Sequence, residues 1–121
     1  MSQHKLPTIL IAMVATLALS ACSDSSSAVK PAPNVTLNPE QLAKYEASCK
    51  ACHEITGSGA PLTGDAKAWE KVLAQPMEEV MQKVVNGYQG MPPLGQCFDC
   101  NQEDLEQLVY FMASDKRLES N

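Results

Sequence analysis

The chain has 121 residues, 45% of them apolar and 19% charged, with 9 basic against 14 acidic side chains and a net charge of -5. That is material for one domain. With 8 Pro and 6 Gly, no glycine period and no unbroken apolar stretch of about 18 residues, the composition excludes collagen, coiled coil and multi-span membrane protein, and it is too apolar for disorder throughout.

In chain order, residues 1–21 read as a secretory signal. His4 and Lys5 precede an apolar run from Leu6 to Ala18 that contains Pro7 and is too short to span a bilayer comfortably. The following Leu19-Ser20-Ala21-Cys22 resembles a bacterial lipobox, whose Cys receives diacylglycerol. Lipidation of Cys22 is therefore expected; ordinary cleavage beside an incidental Cys and an uncleaved anchor are the alternatives. Two or three acyl chains at ~0.8 kcal/mol per buried methylene would make the anchoring permanent. Residues 22–37 are rich in Ser, Ala, Pro and Asn with only Asp24 and Lys30 charged, the composition of a flexible tether. Its r.m.s. reach is roughly 20 Å and its maximum about 50 Å. The expected location is the periplasmic side of a bacterial cell envelope, and Ser23 after the lipidated Cys favours the outer membrane over the inner.

From Cys22 onward there are 8 basic and 14 acidic side chains, a balance of -6. Such a surface disfavours nucleic acid and calls for Lys or Arg on any electrostatic docking partner.

Residues 38–121 form the remaining domain, folded to about Leu118, and its pattern is all-α. Asn38 can cap a helix with Pro39 first and Gln41 third, a capping box, placing Leu42, Tyr45 and Cys49 on one face. Asp65 can cap a short helix bearing Trp69, Val72 and Leu73. Pro76 can open a third with Met77, Val80, Met81 and Val84 at helical spacing and Gly87 as its stop. Asn101 with Asp104 caps the last, whose buried stripe is Leu105, Leu108, Val109 and Met112. The pattern predicts four helices and no strand. Two Gly- and Pro-containing loops, Glu54 to Gly64 and Tyr88 to Cys100, are where function should sit.

The sharpest motif is Cys49-Lys50-Ala51-Cys52-His53, the spacing of c-type haem attachment. Two thiols three residues apart at a helix end can add to the two vinyl groups on one porphyrin edge. The next residue's imidazole then falls under the iron, which makes His53 the proximal ligand. A four-thiolate zinc site using Cys97 and Cys100, and a thioredoxin-like redox pair, are the weaker alternatives. At roughly 80 folded residues apolar burial leaves little margin, so a covalent haem would also supply missing core, and the apo-chain should be largely unfolded.

The second axial position could hold Met, Lys or nothing; His4 leaves with the signal, so no second imidazole remains. Met77, Met81 and Met112 lie on predicted buried faces. Met91 instead sits between Gly90 and Pro92-Pro93, residues that restrict the backbone and can hold a thioether in place, so it is the expected distal ligand.

With those residues in view, the sequence from Leu42 to Met112 resembles a monohaem class I c-type cytochrome, and more narrowly the short cytochrome c-five group. The resemblance rests on the haem motif, Gly59-Ala60-Pro61, a Trp-bearing helix, Asn86-Gly87-Tyr88, Met91-Pro92-Pro93, a second Cys-x-x-Cys and a last amphipathic helix. It implies a class I fold of about four short helices around one haem c, with thioether links at Cys49 and Cys52 and axial ligands His53 and Met91. It further implies that the Pro61 carbonyl orients the proximal imidazole and raises its basicity. Tyr45 and Tyr110 match aromatics where the first and last helices cross, although core packing explains them equally well. Trp69 and Tyr88 either reach a haem propionate or are simply buried with a satisfied polar tip. The group carries a disulfide matching Cys97 and Cys100, a structural bridge stiffening the Met91 loop; a reducible switch is the alternative. The lipobox, the tether and Glu54 after the proximal His depart from the group.

His and Met together favour ferrous iron and point to a one-electron shuttle. No acid or base accompanies Met91, so catalysis is not expected. The implied protein is a monomeric, membrane-tethered carrier in a respiratory chain, docking transiently on donor and acceptor redox proteins. Its alternatives are an electron-transfer subunit of a larger oxidase or reductase, and a haem-based sensor with a displaceable Met91.

Overall fold

In a computed structural model, residues 32–114 are described. The expected signal, Cys22 with its expected lipidation and most of the expected tether lie outside them. Five α-helices follow one another: α1 (Pro39–Ala47), α2 (Lys50–His53), α3 (Ala66–Leu73), α4 (Met77–Asn86) and α5 (Gln102–Ala113), with a 3-10 turn at Pro93–Gln96 before α5. Among the described residues there is no strand, only an isolated bridge between Tyr88 and Met91.

The helix starts follow from local chemistry. Asn38 and Gln41 close a reciprocal capping box on α1, as Asn101 and Asp104 do on α5, and Asp65 accepts from the Ala68 amide at 3.1 Å to open α3. Each satisfies amides that the first helical turn leaves unpaired.

Two features differ from the expected four helices. α1 ends at Ala47 because Ser48 leaves helical geometry, at φ -132° and ψ -79°, while its hydroxyl donates to the Lys44 carbonyl at 2.5 Å. The haem motif therefore forms its own one-turn helix, with Cys49 in the connecting bend and buried. Leu42, expected on the buried face, is 42% exposed. The second difference is the 3-10 turn, where Leu94 (φ 58°) and Gly95 (φ 56°) enter the left-handed region.

α5 is the spine, in contact with α1, α3 and α4. Its stripe Leu105, Leu108, Val109 and Met112 is buried against Tyr45, Trp69, Val80 and Val84. Burial of each such aliphatic side chain contributes about 1.5–3 kcal/mol. Where α1 crosses α5, Tyr45 meets Phe111 edge to face at 5.1 Å, and the Lys44 ammonium pairs with the buried Asp104 carboxylate at 2.8 Å. The partner of Tyr45 is Phe111 rather than Tyr110; both are half-buried, and one residue of helical phase, about a hundred degrees, turns Phe111 toward Tyr45.

Candidate functional site

The loop from Glu54 to Gly64 folds back over α2 and is pinned at several points. The Thr63 amide donates to the His53 carbonyl at 2.7 Å, the Ser58 hydroxyl to the Cys52 carbonyl at 2.7 Å, and the Gly64 amide to the Met112 carbonyl of α5 at 2.8 Å. Beneath it the Tyr45 hydroxyl donates to Glu54 at 2.7 Å, so the Thr63 hydroxyl, 2.8 Å away, donates to the tyrosine oxygen. Burial, aided by the Glu54 carboxylate, holds the Tyr45 phenol above its ordinary range.

This folding brings Pro61 to His53. The imidazole Nδ1 lies 2.8 Å from the Pro61 carbonyl oxygen. A carbonyl can only accept, so Nδ1 carries the proton and Nε2 is left as the lone-pair nitrogen. Only 7% of His53 is exposed, and its ring stacks on Trp69 at 5.5 Å and 28°. The Trp69 indole N–H donates to the Leu62 carbonyl at 2.8 Å. Here Trp69 is a buried wall beside His53 with its polar tip satisfied.

The two Cys-x-x-Cys pairs behave oppositely. Cys97 and Cys100 are joined in a disulfide, whereas Cys49 and Cys52 remain thiols. The four-thiolate zinc site thereby loses half its ligands, and the thioredoxin reading lacks its strand among the described residues. Cys52 is exposed and Cys49 buried, and burial pushes the Cys49 thiol upward despite the Ser48 hydroxyl beside it.

Met91 sits in a loop of unusual backbone. Its amide and carbonyl exchange bonds with Tyr88 at 2.9 and 3.0 Å, and three non-glycine residues around it, Gln89, Leu94 and Gln96, have φ between 52° and 66°. Such left-handed residues cost of order 1 kcal/mol or more each and persist only where the surroundings hold them. One restraint is Gly87, at φ 83° and ψ 154°: a Cβ there would lie 2.9 Å from the Met91 carbonyl oxygen and 3.1 Å from the Pro93 nitrogen. A second is the disulfide that begins directly after the 3-10 turn. The Met91 side chain is half-buried against the core, and its methyl lies 3.4 Å from where a Gly95 Cβ would stand. Tyr88, expected at a propionate or buried, is 51% exposed with the Lys83 ammonium 5.1 Å from its ring centre.

The residues fit a covalent haem. Two free thiols and an imidazole whose Nδ1 is engaged by a carbonyl stand on one short helix and the bend that opens it, Trp69 stacks on that imidazole, and Met91 lies in a separately restrained loop. Sequence reasoning missed the Glu54–Tyr45–Thr63 link and the packing role of Gly87. The first is a contact between distant segments; the second was hinted at only by a glycine four residues before Met91.

Comparison with known proteins points the same way. Residues 38–112 match the family model described as cytochrome C oxidase, cbb3-type, subunit III. The chain is 33% identical over 67 residues to cytochrome c5 of Ectopseudomonas mendocina, covering 54% of this chain and 77% of that protein. It is 44% identical over 48 residues to cytochrome c-555 of Chlorobaculum tepidum, covering 40% of this chain and 44% of that one. A chain in the crystal structure of an electron transfer complex of nitrite reductase with cytochrome c superposes with a TM-score of 0.55 at 31% identity, over 64% of this chain and 95% of that chain.

Proposed function

Because the chain belongs to the class I c-type cytochromes of the cytochrome c5 group, electron-carrier proteins with one covalently bound haem c, we propose that it shuttles single electrons between redox proteins while tethered to a bacterial membrane through Cys22. Cys49 and Cys52 would hold the haem by thioether bonds, and His53 and Met91 would offer its iron a nitrogen and a sulfur ligand. The haem supplies one-electron exchange when bound; the chain holds it, orients its ligand and keeps water away.

The observation that carries this reading is the hydrogen bond from His53 Nδ1 to the Pro61 carbonyl. It fixes the tautomer, holds the ring plane and makes Nε2 the stronger donor to a metal. Trp69, stacked on the imidazole, limits its rotation. At Met91, the Tyr88 backbone pair, Gly87 and the disulfide fix the loop in advance, so a thioether there need not be ordered at each change of charge.

The tether and the lipobox support a periplasmic, membrane-anchored location, with the outer membrane slightly favoured, and a place in a respiratory chain follows as part of the same proposal. A second reading, a fixed subunit of a larger oxidase, draws on the family model of residues 38–112, described as an oxidase subunit.

A pyridine haemochrome spectrum with mass measurement of the exported protein tests the whole. One haem, two thioether links and a lipidated Cys22 are expected; colourless protein matured in a cytochrome-competent host would end the proposal. Met91→Ala should abolish the weak near-infrared band of ferric sulfur ligation and lower the potential. Cys22→Ser should release the protein from membranes, and retention there in high salt contradicts lipidation. A stable oligomer with oxidase subunits in a detergent extract decides for the second reading.

A further inference from the structure

The chain carries an apolar side chain that its own fold does not use. Phe98 is 78% exposed, against 55% for Ile55 and 51% for Tyr88 among the other large apolar residues at the surface. It stands on a very short ring: Cys97 and Cys100 are 5.4 Å apart between Cα atoms, joined by their disulfide and by a hydrogen bond from the Cys100 amide to the Cys97 carbonyl at 3.2 Å. Cys97 is buried at 2% exposure, so the ring is rooted in the core while Phe98 and Asp99 form its outward tip. The closed ring leaves the backbone beneath this phenyl little conformational entropy to lose on contact.

Its place relative to the site follows from chain reach. Phe98 is three residues beyond Gly95, which abuts the Met91 methyl, so their Cα atoms are within about 11 Å of each other. The chain segment that carries it has one sign of charge, the Lys83 ammonium over Tyr88 being the cation just before it. From Val84 to Ser114 there is no Lys or Arg, while Asp99, Glu103, Asp104 and Glu106 are acidic, and of these Asp104 is paired with Lys44. Phe98 therefore projects beside the Met91 loop from a surface carrying exposed carboxylates at Asp99 and Glu103.

We propose that the disulfide-closed turn presents Phe98 as the apolar anchor of the docking face, fitting a redox protein that sets Lys or Arg side chains around a nonpolar recess. The proposal rests on the carrier reading and adds the chemistry of its partner. An aromatic anchor supplies the short-range term, and the carboxylates steer encounter over a Debye length of about 8–10 Å. A second copy of the chain would bring the same carboxylates against themselves, and an anionic lipid surface would repel them.

The test uses the full-length haem-loaded protein and two small cationic reagents in stopped-flow: tris(phenanthroline)cobalt(III), a cation wrapped in aromatic ligands, as oxidant, and hexaammineruthenium(II), a hydrophilic cation, as reductant. Phe98→Ser should slow the cobalt reaction about fivefold, the share expected from losing part of an aromatic contact, and leave the ruthenium reaction unchanged. Phe98→Trp should restore the cobalt rate. Asp99→Asn with Glu103→Gln should flatten the salt dependence of both rates. An unchanged cobalt rate in Phe98→Ser overturns the proposal. So does a wild-type dimer in sedimentation velocity that Phe98→Ser dissociates, which would make the face a self-association surface. So does Phe98-dependent binding of the Cys22→Ser protein to phosphatidylcholine–phosphatidylglycerol vesicles, which would assign it to lipid. If neither reagent exchanges electrons with the wild type, the carrier reading fails instead. The exposure of Phe98 makes its substitution neutral for folding, checked by an unaltered haem spectrum and Tm.

Discussion

Gly87→Ala adds one methyl group, and the structure says how costly it is. At φ 83° and ψ 154° the residue lies in a region essentially reserved for glycine, at a cost of order 1–3 kcal/mol for any other residue. The new Cβ would also stand 2.9 Å from the Met91 carbonyl oxygen and 3.1 Å from the Pro93 nitrogen, both backbone atoms that cannot swing aside. Overpacking of this kind typically adds 1–3 kcal/mol, for a sum of about 4 kcal/mol. In a domain of this size that corresponds to a Tm lower by roughly 15–30 °C. If the loop yields instead, the loss appears as weakened sulfur ligation. Thermal unfolding of the ferric holoprotein, followed at the Soret band and at the near-infrared sulfur band, reads both outcomes. Gly90→Ala is the control: it is adjacent to Met91, its φ is not positive and nothing lies within 4 Å of its Cβ, so it should change stability by no more than about 0.5 kcal/mol. A Gly87→Ala protein as stable as Gly90→Ala, with its sulfur band intact, would refute the argument that Gly87 sets the Met91 loop.

Four further outcomes are expected. Asn101→Ala removes the side-chain acceptor of the Asp104 amide and should cost about 1 kcal/mol, read as a fall in the denaturant midpoint with unchanged slope. Trp69→Phe keeps an aromatic wall beside His53 but removes one of the two donors to the Leu62 carbonyl, leaving the Asp65 amide at 3.1 Å, for a loss of about 1 kcal/mol in the same assay and little change in the spectrum. Cys97→Ser with Cys100→Ser opens a ring worth about 2 kcal/mol in the loop-entropy model, and a midpoint equal to that of the wild type under oxidising conditions would contradict it. The Asp104 carboxyl is held below its ordinary value of 3.8 by the Lys44 ammonium and then by the Asn101 amide. Its contribution is complete above pH 3.8 and disappears as pH falls through the lower folded value; Lys44, raised above 10.5 chiefly by the same carboxylate, keeps its share until pH rises through its own folded value. Asp104→Asn should therefore show a shallower loss of stability in acid than the wild type, and equal acid slopes would show that the pair is not involved.

What could be read in the sequence was what local chemistry decides. Asn38 with Gln41 and Asn101 with Asp104 specify helix starts within four residues, and both capping boxes form. Cys49, Cys52 and His53 announce their chemistry by spacing alone, and Pro61 entered only through resemblance to a family. The break at Ser48 was not legible: no Gly or Pro marks it, and a serine hydroxyl bonded back to a carbonyl four residues earlier, as here to Lys44, is equally compatible with a continuing helix. Phe111 stands beside Tyr45 where the family resemblance implied Tyr110, because adjacent helix positions differ in phase by about a hundred degrees and the resemblance did not resolve which of the two turns toward α1. Gly87 is the most instructive. Its pattern announces a helix stop, and it does follow α4 directly, yet the reason an added methyl is excluded lies in backbone atoms of Met91 and Pro93.

That distinction bears on how the site works. The proximal side is held by bonds between polar groups: His53 to Pro61, Thr63 to the His53 carbonyl, and Trp69 to Leu62. The Met91 side is held by exclusion, with a missing Cβ at Gly87, a half-turn at Pro93 and a covalent ring at Cys97, around backbone at Gln89, Leu94 and Gln96 that would relax if released. Loss of one polar bond therefore costs about 1 kcal/mol and leaves its neighbours in place. Loss of one restraint on the other side lets several left-handed residues return to commoner conformations at once, so damage there should be cooperative. Combining Gly90→Ala with opening of the disulfide should thus be additive, whereas combining Gly87→Ala with it should fall short of the sum, because the loop released by the first change has less left for the second to release. Additivity in both double mutants would mean that Gly87 and the disulfide restrain independent parts of the chain.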